Sequence, residues 1–104
     1  MSGSGEYGPG PGGPSSPCSS LTFEAPLQSP KPSVVKKLKV QDRLEVISRG
    51  KDGPIIARHP THGIAGSIVE RMANLLKCIE EGTEYIAEVI SIDGGIVRVK
   101  VTAK

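Results

Sequence analysis

The sequence predicts a small α+β domain: a curled antiparallel sheet, or a partly open β-barrel, with one helix packed across it. In residues 63–82, a short glycine-rich apolar stretch leads into an amphipathic helical pattern that ends at a glycine. A hairpin signal, Asp93-Gly94-Gly95, separates two alternating segments near the carboxyl terminus. The remaining segments are short and lack long connections, which favours an antiparallel sheet over βαβ units. With 104 residues, the chain has room for one domain.

The amino-terminal third differs from the rest in composition. Residues 1–33 contain six Gly, seven Pro and eight Ser. Such a segment cannot bury enough apolar surface to offset the entropy of ordering its backbone, roughly 1–2 kcal/mol per residue. The composition therefore predicts a disordered tail over residues 1–33 and a folded α+β domain over residues 34–104.

The first folded segments are predicted to be short strands joined by turns. Residues 33–40 (SVVKKLKV) are compatible with a short strand or with a basic lead-in, and their pattern leaves both open. Arg43–Ser48 alternates and is rich in β-branched residues, so it predicts a strand. A turn follows over residues 49–54, and Pro54 marks the start of a second strand over residues 55–58.

The helix is predicted from its ends as well as its periodicity. A short strand leads in, with Gly66 placed where another part of the chain comes close. Ser67 followed by Glu70 forms a capping-box pattern, so the helix is predicted over residues 68–81, with Gly82 ending it. The residues at helical spacing that form the predicted buried stripe are Met72, Leu75, Leu76 and Ile79.

The two carboxyl-terminal strands, residues 84–93 and 96–102, surround the hairpin signal. The last one alternates, and its predicted inward residues are Val97, Val99 and Val101. The longer strand has apolar residues on both faces: Ile86, Ile90 and Ile92 on one, Tyr85, Ala87 and Val89 on the other. This pattern indicates a central strand or a barrel wall.

Charge and cysteine usage bound the partners and the location. Residues 31–104 hold 13 basic and nine acidic residues, a net charge of +4, which permits an anionic partner without requiring one. Cys18 and Cys78 show no zinc-ligand spacing, and a bridge from tail to helix is not expected, so a reducing cytoplasm is the simplest interpretation. No apolar run is long enough to span a bilayer, and no secretory signal pattern begins the chain.

Candidate catalytic groups are few, and no enzyme activity, cofactor or metal site is predicted. His59 and His62 share a turn bounded by Pro and Gly, but no further Cys, His or paired carboxylate is near in sequence. Cys78 is interpreted as a half-buried helix residue rather than a nucleophile. Ser67 lacks the G-x-S-x-G context of a nucleophile elbow, and a helix cap explains it.

Binding is the remaining class of function. Basic and imidazole side chains occur on the loops that join the first strands: Arg49, Lys51, Arg58, His59 and His62. If the sheet curls so that these loops share an edge, they offer hydrogen-bond donors to phosphates. The alternatives are solvated loop charges, and a protein-interaction or homodimerisation module that pairs through a strand edge. Aromatic side chains for stacking bases are scarce.

Residues 40–101 resemble the later part of a HIRAN domain. The matching segments, in order, are VQDRLEV, PIIARHPTHG, IAGSIVERMANLL, IEEG and YIAEVISI. The resemblance implies a small β-barrel with one helix, of the kind attached to helicases or nucleases, that recognises DNA ends or single strands.

Overall fold

The computed structural model describes residues 17–50 and 53–104. They form a small α+β fold, a six-stranded antiparallel sheet curled into a half-barrel with one main helix. The strands are β1 (Phe23–Pro26), β2 (Arg43–Ser48), β3 (Ile55–His59), β4 (Gly63–Ile68), β5 (Tyr85–Asp93) and β6 (Ile96–Ala103). The helices are a single turn, α1 (Pro32–Val35), and the main helix, α2 (Met72–Glu80). The predicted fold class is confirmed.

The sheet has the order β1-β6-β5-β2-β3-β4, and every neighbouring pair is antiparallel. Just beyond β1, Gln28 pairs with Ser67 of β4, the strand at the opposite end of this order. The sheet therefore curls until its two outer strands are linked, as in a small barrel.

The predicted β5–β6 hairpin is confirmed. Gly94 and Gly95 have φ angles of 58° and 89°, both positive, as a two-residue type I′ turn requires. The three predicted inward valines of β6 are completely buried. The pairing register shifts between Val89 and Ser91, so one extra residue bulges from β5. Because of this bulge Ile92 packs against the core, contrary to its predicted grouping with Ile86.

The core lies inside the curl of the sheet. The largest side chains with no exposure are Leu44, Ile55, Ile68, Leu75, Val89, Val97, Val99 and Val101. Helix α2 contributes Leu75 and Cys78 as its buried residues, while Met72, Leu76 and Ile79 pack at its margins. The stripe predicted from periodicity therefore lies on the right side of the helix, but it omits Cys78.

The predicted start of the main helix is wrong. Ser67 and Ile68 belong to β4, where they pair with Ile56 and Ile55, and the helix begins only at Met72. The Ser67 hydroxyl donates to the carbonyl of Gln28 at 3.3 Å and caps no helix. Tertiary pairing with the sheet has overridden the local capping pattern.

The two predicted glycine roles are confirmed. At the end of α2, the Gly82 N–H donates to Ile79 and the Thr83 N–H to Cys78, the paired bonds of a Schellman motif with Gly82 at a φ of 104°. At Gly66, a Cβ would lie 2.9 Å from the Gln28 carbonyl oxygen. Only glycine allows the chain to cross β4 this closely.

The predicted tail extends too far. Residues 1–16 lie outside the described residues, but residues 17–33 are part of the fold: β1 pairs with β6, and Leu21, Ala25 and Leu27 are buried. After β1, the segment left open as strand or lead-in forms the single turn α1 and the loop after it. Val34, Val35 and Leu38 point into the core, and the lysines between and around them are exposed.

Candidate functional site

The predicted basic loops do not form one cluster. Arg49 follows β2 and precedes β3, whereas His62 lies in the turn that leaves β3. Successive turns of an antiparallel meander lie at opposite ends of the strand they share, here five residues or roughly 16 Å. Lys51 lies outside the described residues. The expectation that these loops share one edge of the sheet therefore fails for Arg49 and His62.

Arg58 is occupied by an acidic neighbour. Its Nε and Nη2 donate to Glu45 Oε1 at 3.0 and 2.7 Å, and the two residues lie opposite each other on β3 and β2. Both side chains are about half exposed, so the pair contributes little to stability. It nevertheless neutralises the charge that was predicted to contact phosphates.

His59 is held by contacts within its own turn. Its Nδ1 accepts from the N–H groups of Thr61 and His62 at 3.0 and 3.2 Å. A ring nitrogen that accepts carries no proton, so the proton lies on Nε2, which is 3.6 Å from Asp42 Oδ2. The His62 ring stacks on His59 with 4.4 Å between centroids. These contacts explain the histidines as parts of a well-ordered turn.

Arg49 has a different neighbour, one that was predicted to belong to the tail. Arg49 and Lys31 both line a shallow cavity of about 260 Å³ on the outside of β3 and β4. Ser29 and Ser67 line it with their hydroxyl-bearing side chains, and Ile56 and Ile64 are also among its lining residues. Lys31 is held there because its N–H donates to the carbonyl of Ala65 at 2.8 Å. The Ser67 hydroxyl already donates to the Gln28 carbonyl, so the groups in this recess that suit an anion are Lys31, Arg49 and Ser29.

The outer face of the central strands carries balanced charge. Lys100 lies opposite Glu24 on one side and Glu88 on the other, and Glu88 in turn lies opposite Arg43. Acidic and basic side chains thus alternate across four strands. This face does not form a basic surface, so the net positive charge of the fold lies elsewhere.

Much of that charge lies in a segment outside the predicted site. Residues 31–39 contain four lysines and no acidic residue, and all four are exposed. Beside them is a second cavity of about 410 Å³, lined by Pro30, Pro32, Val35, Lys36, Leu38 and Ile92. In the sequence, this region could have been recognised from its run of lysines interrupted by apolar residues. The cavity beside these lysines could not be inferred, however, without knowing that Pro30 and Pro32 belong to the folded domain.

The two cysteines form a disulfide, which corrects the expectation that they stay apart. Cys18 and Cys78 are bonded with 5.5 Å between their Cα atoms and 60 residues between them in sequence. The bond ties the segment before β1 to α2, and it removes Cys78 as a candidate thiol nucleophile. The cytoplasmic expectation rested on unpaired cysteines and loses that support, because disulfides persist mainly in oxidising compartments.

Tyr85 reinforces the same connection. Its buried hydroxyl donates to the carbonyl of Cys18 at 2.6 Å. Burial, together with the nearby charge of Glu81, raises the pKa of the Tyr85 hydroxyl above its ordinary value of 10.0. Tyr85 is therefore a structural residue, and its ring is not available for stacking on a nucleic-acid base.

Neither a metal-binding cluster nor a membrane-spanning helix is present among the described residues. Residues 17–50 and 53–104 hold no group of three or more His, Cys, Asp or Glu side chains placed to bind a metal ion. Among the same residues, no helix is long and apolar enough to cross a membrane.

Comparison with known proteins adds no assignment: no family model, no curated protein and no solved structure matches the chain.

Proposed function

We propose that the chain is a small non-enzymatic binding module for single-stranded DNA, with the phosphates contacted at the cavity between Lys31 and Arg49. The observation that carries the proposal is the convergence of these two cations, from distant parts of the sequence, on one recess. The ammonium of Lys31 offers a point charge, and the guanidinium of Arg49 offers paired donors that match phosphate geometry.

The remaining features of the cavity suit a nucleic-acid backbone. A recess of about 260 Å³ accommodates a phosphate group and part of its sugar. Ser29 supplies a hydroxyl at the rim, and the apolar Ile56 and Ile64 offer contact surface for the sugar. Phosphate and sugar contacts carry no sequence information, so the binding is expected to tolerate different base sequences.

The proposal agrees with the ligand implied by the HIRAN resemblance, but it changes the residues involved. Arg49 stays from the predicted set, and Lys31 joins it. Arg58, His59 and His62 are excluded because each is engaged with a neighbouring side chain or backbone group.

The test is a salt titration of fluorescence anisotropy with a labelled single-stranded oligonucleotide. A Lys31→Ala/Arg49→Ala double variant should bind more weakly. Its log–log salt dependence should be shallower by about 0.7 for each phosphate that the variant no longer neutralises. Arg58→Ala is the control and should change both quantities less, because Arg58 does not line this cavity. Absence of binding at low salt would sink the proposal, as would equal effects of the double variant and the control.

The alternative of a homodimer paired through a strand edge has less support. Gln28 occupies the backbone groups of Ser67, and Lys31 bonds to Ala65, so part of the β4 edge is already covered. Light scattering on a size-exclusion column separates the alternatives: a dimer whose stability does not depend on salt would favour edge pairing.

A further inference from the structure

The cavity beside the lysine segment differs from the proposed DNA site in its chemistry. We call this region the apolar–lysine surface. It consists of the seven cavity-lining residues Pro30, Pro32, Val35, Lys36, Leu38, Ile92 and Gly95, together with Lys37, Lys39, Val40 and Ile96. Its cavity, about 410 Å³, is lined mainly by proline and aliphatic side chains. An apolar recess of this size on the outside of a small domain is a candidate for receiving an apolar side chain.

An exposed apolar residue follows each of the two chain segments that line this cavity. Val40 follows the lysine segment and is 53% exposed; Ile96 follows the turn at Gly95, which also lines the cavity, and is 60% exposed. Among residues 17–50 and 53–104, three large hydrophobic side chains are more than half exposed, and the third is Val69, at 51%. Two of the three are thus close in sequence to residues that line the cavity: Val40 comes two residues after Leu38, and Ile96 directly follows Gly95.

The charges of this surface have one sign. Lys36, Lys37 and Lys39 are exposed beside the cavity, and Lys31 stands at its border with the DNA site. Two acidic residues are close in sequence to the two segments that line the cavity: Asp42 follows Lys39, and Asp93 follows Ile92. The Asp42 carboxylate accepts a hydrogen bond from the Lys39 N–H at 2.9 Å and lies near His59. Of these two residues, only the exposed Asp93 therefore has its charge free to offset the charges of the lysines.

We propose that the apolar–lysine surface docks an acidic segment of a partner protein. In that segment one bulky apolar side chain enters the cavity, and carboxylates on either side of it meet the lysines. The proposal combines the two properties of the surface, because charge complementarity sets orientation and encounter rate while apolar burial supplies affinity.

Other occupants fit less well. Single-stranded DNA would meet the lysines but would leave an aliphatic recess with no aromatic side chain for base stacking. A second copy of this chain would bring lysines against lysines. A bilayer takes up projecting apolar groups, whereas the main feature of this surface is a recess. The amino-terminal residues 1–16 contain a single acidic residue, Glu6, and offer little complementary charge.

The test uses the full chain and three labelled peptides measured by fluorescence anisotropy at low salt. The first peptide has a central Leu flanked by Asp and Glu; the second replaces Leu by Ser, and the third replaces the acids by Asn and Gln. The first should bind, and both replacements should weaken binding. Equal binding of the first two would overturn the proposal, because it would show a purely electrostatic contact.

Variants then locate the site. Lys36→Ala/Lys37→Ala should weaken binding of the acidic peptide about fivefold, which corresponds to a total loss of about 1 kcal/mol from two exposed charge pairs. The matched charge control is Lys77→Ala/Lys104→Ala, on other elements. Ile96→Ser should also weaken binding, whereas Val69→Ser, equally exposed elsewhere, should not. If either control variant weakens peptide binding as much as the variant it is compared with, the assignment of the site is overturned.

Two competitors distinguish other macromolecules and the proposed DNA site. The competitors are a single-stranded oligonucleotide and vesicles containing phosphatidylserine. If either binds more tightly than the peptide, and if that binding depends on Lys36 and Lys37, the proposal is overturned in favour of that ligand. Loss of DNA binding in Lys31→Ala/Arg49→Ala with retained peptide binding supports two separate sites. Failure of either proposal is therefore visible independently of the other.

Discussion

Gln28 and Ser67 are hydrogen-bonded to each other in both directions, each N–H donating to the other's carbonyl at 2.8 Å. These residues are 39 positions apart in sequence, and they join the segment after β1 to β4. The pair therefore turns an open sheet into a nearly closed one. It also sets Ser29 and Lys31 beside the cavity that Arg49 lines, so the same contact shapes the proposed DNA site.

Gly66→Ala tests this link. A Cβ at this position would lie 2.9 Å from the Gln28 carbonyl oxygen and 3.1 Å from Leu27 Cβ, and neither is a flexible side-chain end. The substitution should lower the free energy of unfolding by about 1–3 kcal/mol, as overpacking does. Urea unfolding gives the stability. Hydrogen exchange should accelerate more at Gln28 and Ser67 than at the core residue Leu44, where it follows the global stability. Equal acceleration at all three residues would contradict the assigned contact.

The disulfide should be a major source of stability. Cys18 and Cys78 close a loop with a sequence separation of 60, for which loop-closure entropy gives about 4 kcal/mol. Reduction should therefore lower the urea midpoint strongly. The double variant Cys18→Ser/Cys78→Ser should show the same low midpoint and no response to reductant. If reduced and oxidised protein unfold at the same urea concentration, the bond is not part of the folded state.

The strand and turn prediction succeeded where local signals were sufficient. The bounds of β2, the hairpin at Gly94 and Gly95, and the inward side of β6 follow from alternation and turn chemistry, which depend only on neighbouring residues. Gly82 was predictable for the same reason. Each of these features is decided within a few residues of the chain.

Three of the failures share one cause, the exclusion of residues 17–33 from the fold. The average over the Gly-, Pro- and Ser-rich tail concealed the period-two pattern of Leu21, Phe23, Ala25 and Leu27, which forms β1 and its extension. Because that segment was excluded, the hydrogen bonds between Gln28 and Ser67 were not anticipated, and the capping pattern at Ser67 predicted a helix start. For the same reason Lys31 could not be placed near Arg49, and the disulfide of Cys18 was not expected.

The orientation of α2 leads to a third prediction. Periodicity treats Leu75 and Leu76 as equivalent stripe residues, but Leu75 is fully buried and Leu76 only partly. Leu75→Ala should cost about 2–5 kcal/mol through reduced burial and a cavity, and Leu76→Ala should cost distinctly less. Both residues are on the same helix, so helix propensity cancels in the comparison. Equal losses of stability in urea unfolding would show that the helix is rotated relative to the sheet.

Tyr85 predicts how stability depends on alkaline pH. Burial and Glu81 raise the pKa of its hydroxyl above 10.0 in the folded state, so the unfolded chain releases this proton more readily. The stability contributed by the protonated hydroxyl is fully present below pH 10 and is lost as the pH rises through the folded-state pKa. Unfolding free energy measured by urea should therefore fall in that range.

The Tyr85→Phe variant isolates this effect from other groups that titrate at high pH. It lacks the hydrogen bond to the Cys18 carbonyl, so it should be less stable than the wild-type chain near neutral pH. Above pH 10 its stability should decline less steeply, because the group that drives the loss is absent. The difference between the two proteins should therefore narrow with rising pH, and a constant difference would show that Tyr85 keeps its ordinary pKa in the fold.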